Sequence, residues 1–511
     1  MNKLPIHGLR RILLASSVSL LAIGAQAQTL RIMQSEPPRS MDPADQTASF
    51  TQVVLAPMYE GLIGRSSDME IVPVLATDWS HDDSGLVWTF NLREGVTFHD
   101  GTALDSAAVV NSFQRLLDPA RGLAAAGRMR AVLADVEADG DMQVNFTLHS
   151  PYAGFVDLMA TAVGWIVSPT ADGAGNLGTA AVGTGPFRFQ EWESGEYVSQ
   201  TAFDGYWGDQ PQLEGLHFTW SSEPSVLSMA VQSGEVDVVN PLPPIFAQTI
   251  ANNPELDLID QPGSSMFWVS LNVQSDALEH QAVRQALNFA TNKDALVQAL
   301  LRGYGTPATS PLSPTNPAWD DTLNPYPYDV EKALELLDAA GFADGFSMSV
   351  AVQEPEASIA EALQAMWGEI GVDLQIRRLE SGVWSEAAFN DPDAKAADGL
   401  DAVIASWSSG SFNSDLQFRP LYATSSWAPG GANLGFFSSG ALDDLIDRAA
   451  SELDADARRD LYVEAQKLVN EEAPHVLLYS TRDLAAMRQS VDGVWLIPGG
   501  VVQVAGASIA D

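Results

Sequence analysis

The sequence lacks cysteine and has few basic residues. With no cysteine in 511 residues, it can form neither a disulfide framework nor a lipid-modified cysteine after a cleavage site. Only 26 Lys and Arg stand against 66 Asp and Glu, which gives a formal charge of −40. A field of that sign repels nucleic acids and anionic membrane surfaces, so we expect neither as a partner. The simplest interpretation of the charge is solubility.

Motifs of catalysis and metal binding are also missing. We find no zinc-protease helix, nucleophile elbow, Walker loop or serine–lysine pair. The histidines beyond residue 27 are scattered without the spacing of metal ligands. We therefore predict a protein that is not an enzyme and that holds neither a cofactor nor a metal ion.

Residues 1–27 have the three parts of a secretory signal. A basic start is followed by the apolar stretch 12–24 and by a small-x-small cleavage site at 25–27. Beyond this segment no apolar run reaches the roughly 18 residues that a transmembrane helix needs. We predict that export removes residues 1–27 and leaves a soluble periplasmic protein that begins at Gln28.

Two apolar stretches far apart in the chain predict strands that cross between two lobes. Residues 266–272 have the length and the aromatic and β-branched content of a strand, and helical periodicity follows at 283–290. Residues 475–480 form a second apolar strand after Pro474. Between them, helical stripes alternate with predicted strands at 372–379 and 401–407, which indicates an α/β second lobe.

Several blocks of the sequence resemble a known family. They are the aromatic hairpin and helix at 88–119, the glycine-rich stretch at 182–189, the helix at 283–290 and the segment 303–308. All four are similar to blocks in the solute-binding proteins of peptide, nickel and glutathione ABC importers, the family 5 extracellular solute-binding proteins. The resemblance runs from about residue 29 to the end of the chain.

This resemblance implies an α/β, two-lobed periplasmic-binding-protein fold of type II. In its large class, lobe I carries an extra subdomain and two crossing strands form the hinge. We accordingly expect the following division: signal peptide 1–27, lobe I at 28–268 with a subdomain at about 62–178, lobe II at 269–482, and a C-terminal return to lobe I at 483–511.

The loop after the strand at 401–407 is the best candidate for a binding site. It leaves the C-terminal end of a predicted strand, where open α/β sheets place their ligands. Residues 408–415 are small and polar, and aromatic and basic side chains follow, which is typical of a binding site. A solvated loop is the alternative interpretation. The predicted ligand-binding residues are Asp415, Trp427, Arg419, Trp407, Trp268 and Tyr422.

Within the family, this loop is most similar to that of the glutathione-binding branch. Asp415, the run 420–423, Trp427 and Asn433 keep the spacing of that branch. The resemblance implies that Asp415 pairs with the free amino group of the ligand. Where dipeptide binders offer an arginine for the ligand carboxylate, this chain has Gln353 and Glu354. Arg419 is then assigned to the carboxylate by proximity alone.

The sequence therefore predicts a periplasmic receptor, acting as a monomer. It would close two lobes over a small peptide-like solute, such as glutathione or a di- or oligopeptide, and deliver it to an inner-membrane ABC permease. One alternative is a receptor for a nickel or other metal complex. Another is a secreted hydrolase without a recognisable motif.

Overall fold

The computed structural model describes residues 28–408 and 412–510, and its first part builds lobe I. The chain enters this lobe through one buried strand and one short helix, and then forms a separate subdomain. The first two elements are β1 (Thr29–Gln34) and α1 (Ser49–Leu55). The subdomain consists of β2 (Ile63–Arg65), β3 (Ile71–Pro73), β4 (Ala76–His81), β5 (Val87–Leu92), α2 (Ser106–Leu117), α3 (Ala126–Val132), β6 (Leu133–Ala138), β7 (Gln143–Leu148), α4 (Phe155–Met159) and α5 (Pro169–Ala174).

The subdomain has its own sheet and its own core. Strands β4, β5, β7 and β6 form a four-stranded sheet, and alternate residues of β5 and β7 point inward. The rings of Phe90, Phe113, Phe146 and Phe155 meet edge to face or tilted, with centroids 4.8–6.5 Å apart. Aromatic contacts of this geometry stabilise the core of the subdomain.

The chain then returns to lobe I and leaves it through a long strand. These elements are β8 (Phe187–Glu193), β9 (Tyr197–Ala202), β10 (Gly215–Trp220), α6 (Pro224–Ser233), β11 (Val238–Val239), α7 (Pro244–Ala251) and β12 (Leu256–Leu271). β1 pairs in parallel with both β10 and β11, so the carboxyl ends of these three strands meet at one edge of the sheet.

Lobe II alternates helices and strands before a second long strand leads back. It contains α8 (Gln281–Phe289), α9 (Lys293–Leu301), β13 (Gly305–Pro307), α10 (Val330–Ala339), β14 (Phe346–Gln353), α11 (Ala357–Gly368), β15 (Val372–Leu379), α12 (Ser381–Ala388), α13 (Pro392–Asp398), β16 (Ala402–Ser408), α14 (Asp415–Tyr422), α15 (Gly440–Ser451), α16 (Ala455–Glu472) and β17 (His475–Arg488). The C-terminal segment adds β18 (Val491–Asp492), β19 (Trp495–Ile497), β20 (Val501–Gln503) and β21 (Ser508–Ile509).

Helices cover both faces of the lobe II sheet. Neighbouring residues of β12 show the division, because Trp268 points into one buried cluster and Val269 into the other. The first cluster packs against α14, α15 and α16, and the second against α8, α10 and α11. β14 and β16, which pair in parallel, are thus covered on both faces, as parallel strands in α/β proteins usually are.

One sheet runs through both lobes. Among the described residues it has eleven strands, in the order β15-β14-β16-β12-β17-β11-β1-β10-β9-β8, with β13 attached to β17. β12 and β17 lie antiparallel at its centre and are its two longest strands. They connect the lobes, so the predicted fold, an α/β protein of two lobes hinged by two crossing strands, is confirmed.

The pairing of the two crossing strands is interrupted between the lobes. Residues 256–262 of β12 pair with 482–488 of β17, and 266–270 pair with 475–480. Gly263 lies in the break, where an added Cβ would stand 2.7 Å from the carbonyl oxygen of Thr481. The lobe boundaries predicted at 268 and 482 stay predictions. The break in pairing lies a few residues before the first of them.

Candidate functional site

The predicted binding loop begins at the crossing of the lobes. β16 runs antiparallel to β12 and ends at Ser408, opposite Ser265. Residues 409–411 of the loop lie outside the described residues, so the part that can be placed is Phe412, Asn413 and Ser414. This segment starts α14, and Asn413 and Ser414 are already buried.

Asp415 does not sit on a loop, as the sequence suggested, but in the first turn of α14. Its carboxylate is 7% exposed and lies 3.0 Å from both Nε and Nη2 of Arg419, one helical turn later. Arg419 also donates from Nη1 to Asp447, at 2.7 Å. Burial raises the pKa of Asp415, and the Arg419 guanidinium opposes that rise. Asp415 therefore already has a cationic partner within the chain.

Trp407 supplies a hydrogen bond that α14 itself lacks. Pro420 lies inside α14 and has no N–H, so the carbonyl of Leu416 lacks its usual helical donor. The indole Nε1 of Trp407 donates to that carbonyl at 2.9 Å. A buried carbonyl left unpaired would be costly, so Trp407 stabilises the local fold while its side chain stays partly exposed.

The other predicted aromatic residues divide between core and surface. Trp268 and Tyr422 are only 2% and 1% exposed, and both belong to the core of lobe II. His475 lies between them, stacked on Trp268 and 3.0 Å from the Tyr422 hydroxyl. Neither side chain is therefore exposed to a solute in this structure, and their assignment as ligand contacts stays a prediction. Trp427 stays partly exposed and donates from Nε1 to the carbonyl of Phe437 at 2.7 Å.

The two lobes touch beside the predicted loop. Asn413 donates from Nδ2 to the hydroxyl of Tyr152 in the subdomain, at 2.5 Å. Nearby, the backbone N–H of Ala153 donates to the carbonyl of Ala450 at 2.8 Å. Gly154 is needed here because an added Cβ would stand 1.9 Å from Nδ2 of Asn413. The subdomain thus closes onto lobe II, a contact that no pattern in the sequence predicts.

A cavity of about 330 Å³ lies at this contact. The subdomain contributes Arg65 and Asp157, which form an ion pair at 2.5 Å. Lobe II contributes Phe412, whose ring lies 4.1 Å from the guanidinium carbon of Arg65, and Arg458 from α16. A cavity of this size is at the lower end of the range for small-molecule sites.

A second group of polar residues lies where the strands cross. Asp483 of β17 accepts hydrogen bonds through Oδ2 from the backbone N–H groups of Gly499 and Gly500, at 2.7 and 3.2 Å. The hydroxyls of Ser264 and Ser408 are 2.7 Å apart. Sequence analysis missed this group, although the Pro-Gly-Gly turn at 498–500 is a visible signal for a loop.

A larger groove, of about 700 Å³, lies on the face of the crossing strands opposite to Asp483. It is lined by Asp260 and Arg482, which pair with each other, and by residues of α7 and the end of α9. None of the six predicted ligand-binding residues lines it.

The described residues contain neither a cluster of metal-ligating side chains nor a membrane-spanning helix. Within 28–408 and 412–510, no three His, Cys, Asp or Glu side chains converge as metal ligands would. In the same ranges, every helix is too short or too polar to cross a membrane.

The crossing strands and the lobes closed beside them are the architecture of a bilobed solute receptor. The model for bacterial extracellular solute-binding proteins, family 5 Middle, matches residues 70–429, so the chain belongs to this family. Its members are non-enzymatic receptors that bind a small solute outside the cytoplasm and serve an ABC transporter. The predicted family is thereby confirmed.

Individual relatives extend this likeness over most of the chain. The glutathione-binding protein GsiB of Pectobacterium atrosepticum is 31% identical over 465 residues, and that of Escherichia coli K12 is 30% identical over 467; the match covers 90% of both chains in each case. Among solved structures, HbpA2 from Haemophilus parasuis superposes with a TM-score of 0.85 at 26% identity, covering 94% of this chain and 100% of its own. DppA from Helicobacter pylori, in complex with the peptide STSA, gives 0.78 at 25%, covering 95% and 98%.

Proposed function

We propose that this protein is a periplasmic receptor that captures a small peptide-like solute between its two lobes. It acts as a monomer and delivers the solute to the inner-membrane permease of an ABC importer. The observation that carries this proposal is the meeting of both lobes at the carboxyl ends of their strands, β11 in lobe I and β16 in lobe II, around polar side chains.

The class of solute is supported by the relatives. The curated relatives at 30 to 31% identity are named for glutathione, and the DppA structure contains a four-residue peptide. Glutathione and short peptides share an ammonium group, carboxylates and amides. We propose a solute of this chemistry, either glutathione itself or a di- or oligopeptide.

At residue level, three of the predicted contacts remain in the proposal. Trp407, Arg419 and Trp427 keep partly exposed side chains in or beside the predicted binding loop. Arg419 has both Asp415 and Asp447 as partners, so we propose that it meets the solute while held in place by the two carboxylates. Asp415 then contributes by positioning Arg419.

The solute can be identified directly. Mild denaturation of the purified protein, followed by mass spectrometry of what is released, should yield one small molecule per chain. Calorimetric titration with glutathione and with short peptides should then saturate at one equivalent, with a change in tryptophan fluorescence. Turnover of the bound solute, or a released solute without peptide chemistry, would contradict the proposal.

The cellular location and the oligomeric state are tested separately. N-terminal sequencing of protein from the periplasmic fraction should begin at or near Gln28, as the cleavage site at 25–27 predicts. Light scattering should give the mass of a single chain. Recovery only with membranes, or a dimer mass, would count against these parts of the proposal.

A further inference from the structure

We propose that Asp483, in the second crossing strand, receives the positively charged nitrogen of the solute. This inference rests on the proposed function and names one residue of the same site. It also assigns to Asp483 the role that the resemblance had given to Asp415.

The position of Asp483 is the first argument. It lies on β17 just beyond the break in pairing, so it stands between the two lobes. The turn at Gly499 lies above it, and an added Cβ on that glycine would be 3.2 Å from the hydroxyl of Ser264 and 3.7 Å from that of Ser408. Asp483 is therefore part of the polar group at the carboxyl end of β16.

Lobe I reaches the same place from its own strand ends. Asn240 directly follows β11, and its Nδ2 donates to the carbonyl of Gly500 at 2.7 Å. Because β11 and β16 both end here, Asp483 occupies the crevice outside the carboxyl ends of strands from both lobes. Open α/β sheets bind their ligands in such a crevice.

The charges around Asp483 also favour a cationic group of the solute as its partner. On one side of the strand pair, Arg482 and Asp260 neutralise each other. Asp483 points to the opposite side, together with Gln261, which pairs directly across from it. Gln261 donates from Nε2 to the carbonyl of Leu496 and carries no charge. Within the described ranges, the carboxylate of Asp483 has no ion-pair partner, and its Oδ1 has no hydrogen-bond donor.

Such a carboxylate is stable only while water or a cation reaches it. Asp483 is partly exposed in the present structure, and burial already raises its pKa to about 6. A solute that fills the crevice displaces the remaining water from Oδ1. An ammonium or guanidinium group on the solute then supplies the missing charge, whereas a neutral group leaves a desolvated carboxylate without a partner.

The test compares Asp483→Asn with the parent protein by calorimetry. The probes are glutathione and alanylalanine, each as the free amine and as its Nα-acetyl derivative. Asparagine keeps the shape of aspartate and can still accept the hydrogen bonds of Gly499 and Gly500. A probe that binds the parent should lose about 30-fold or more in affinity through Asp483→Asn. Acetylation should cost the parent a similar factor and should cost the variant little more.

Two further variants separate this inference from its rivals. Asp492→Asn is the matched control, since Asp492 also caps a glycine N–H in the C-terminal segment but is exposed. It should leave affinity unchanged. Asp415→Asn tests the alternative partner. Loss of binding in Asp415→Asn, with binding retained in Asp483→Asn, overturns the inference.

Failure of the proposed function gives a different result. If no probe binds the parent, the proposal of a peptide-like solute is wrong. The inference about Asp483 is then tested on the molecule that is released from the purified parent. A solute with a basic nitrogen that is absent from preparations of Asp483→Asn supports the inference. The inference is overturned if the released solute has no basic nitrogen, if both proteins retain the solute equally, or if no amine is bound. If Asp483→Asn does not fold, equal binding of free and acetylated probe to the parent overturns it as well.

Discussion

Two carboxylates near the cleft, Asp415 and Asp483, differ in what surrounds them. Asp415 is almost fully buried and is held by Arg419 from its own helix. Asp483 is held only by the backbone N–H groups of Gly499 and Gly500 and keeps some contact with solvent. A buried carboxylate that already has a cation within the chain depends on that cation, whereas one left with its charge is available to a ligand.

The largest effect is expected for Arg419→Met. This change removes the cation from beside the buried carboxylate of Asp415 and should lower the free energy of unfolding by about 3 kcal/mol. Chemical denaturation measures it. Arg448→Met is the control, since Arg448 and Asp444 form an exposed pair, and it should cost no more than about 0.5 kcal/mol. Equal effects would mean that Asp415 does not depend on its partner.

A smaller, pH-dependent effect is expected for Asp483→Asn without solute. The pKa of Asp483 is raised to about 6, above its unfolded value. The native state therefore binds the proton of Asp483 more tightly than the unfolded state does. The stabilisation that the protonated group contributes is complete below about pH 4 and is lost as the pH rises through about 6. At pH 7 the variant should exceed the parent by about 2 kcal/mol, and the gap should close towards pH 4. Denaturation of both proteins across this range measures it. A gap that does not change with pH would contradict this assignment.

The smallest effect is expected for Tyr152→Phe, which removes the hydroxyl that accepts from Asn413 across the lobes. Losing one such hydrogen bond should cost the closed form about 1 kcal/mol and lower solute affinity about fivefold. Calorimetry and small-angle scattering would show weaker binding and a more open solute-free protein. Tyr197→Phe is the control, because Tyr197 bonds to Glu191 within lobe I. If Tyr152→Phe binds the solute as tightly as the parent, the hydrogen bond between Asn413 and Tyr152 does not contribute to closure.

Much of the fold could be predicted because hydrophobic pattern and turn chemistry agreed. The apolar run predicted at 266–272 lies in β12 as far as Leu271, and helices α10 and α11 end close to Gly341 and Gly371, which adopt φ of 88° and 82°. The second crossing strand was predicted only to Ser480, but β17 continues to Arg488. At the crossing, polar residues replace apolar ones on a strand that is no longer covered on both faces, so the pattern is lost.

The site was harder to predict than the fold. Small polar residues before Asp415 and a proline after it indicate a loop, yet α14 forms because Trp407 donates to the carbonyl that Pro420 leaves free. That contact joins residues from two elements and cannot be read from spacing. Asp483 is one of 66 acidic residues. Only its place on the crossing strand and the distant turn at 499–500 distinguish it from the others.

The position of β17 in the sheet also bears on the order in which the sheet can form. This strand is synthesised near the end of the chain, yet it lies in the middle of the sheet, between β12 and β11. Until residues 475–488 have emerged, the strand ends of both lobes lack their common neighbour, and β12 lacks its longest partner. A nascent chain therefore cannot complete this sheet until residue 488 has been synthesised.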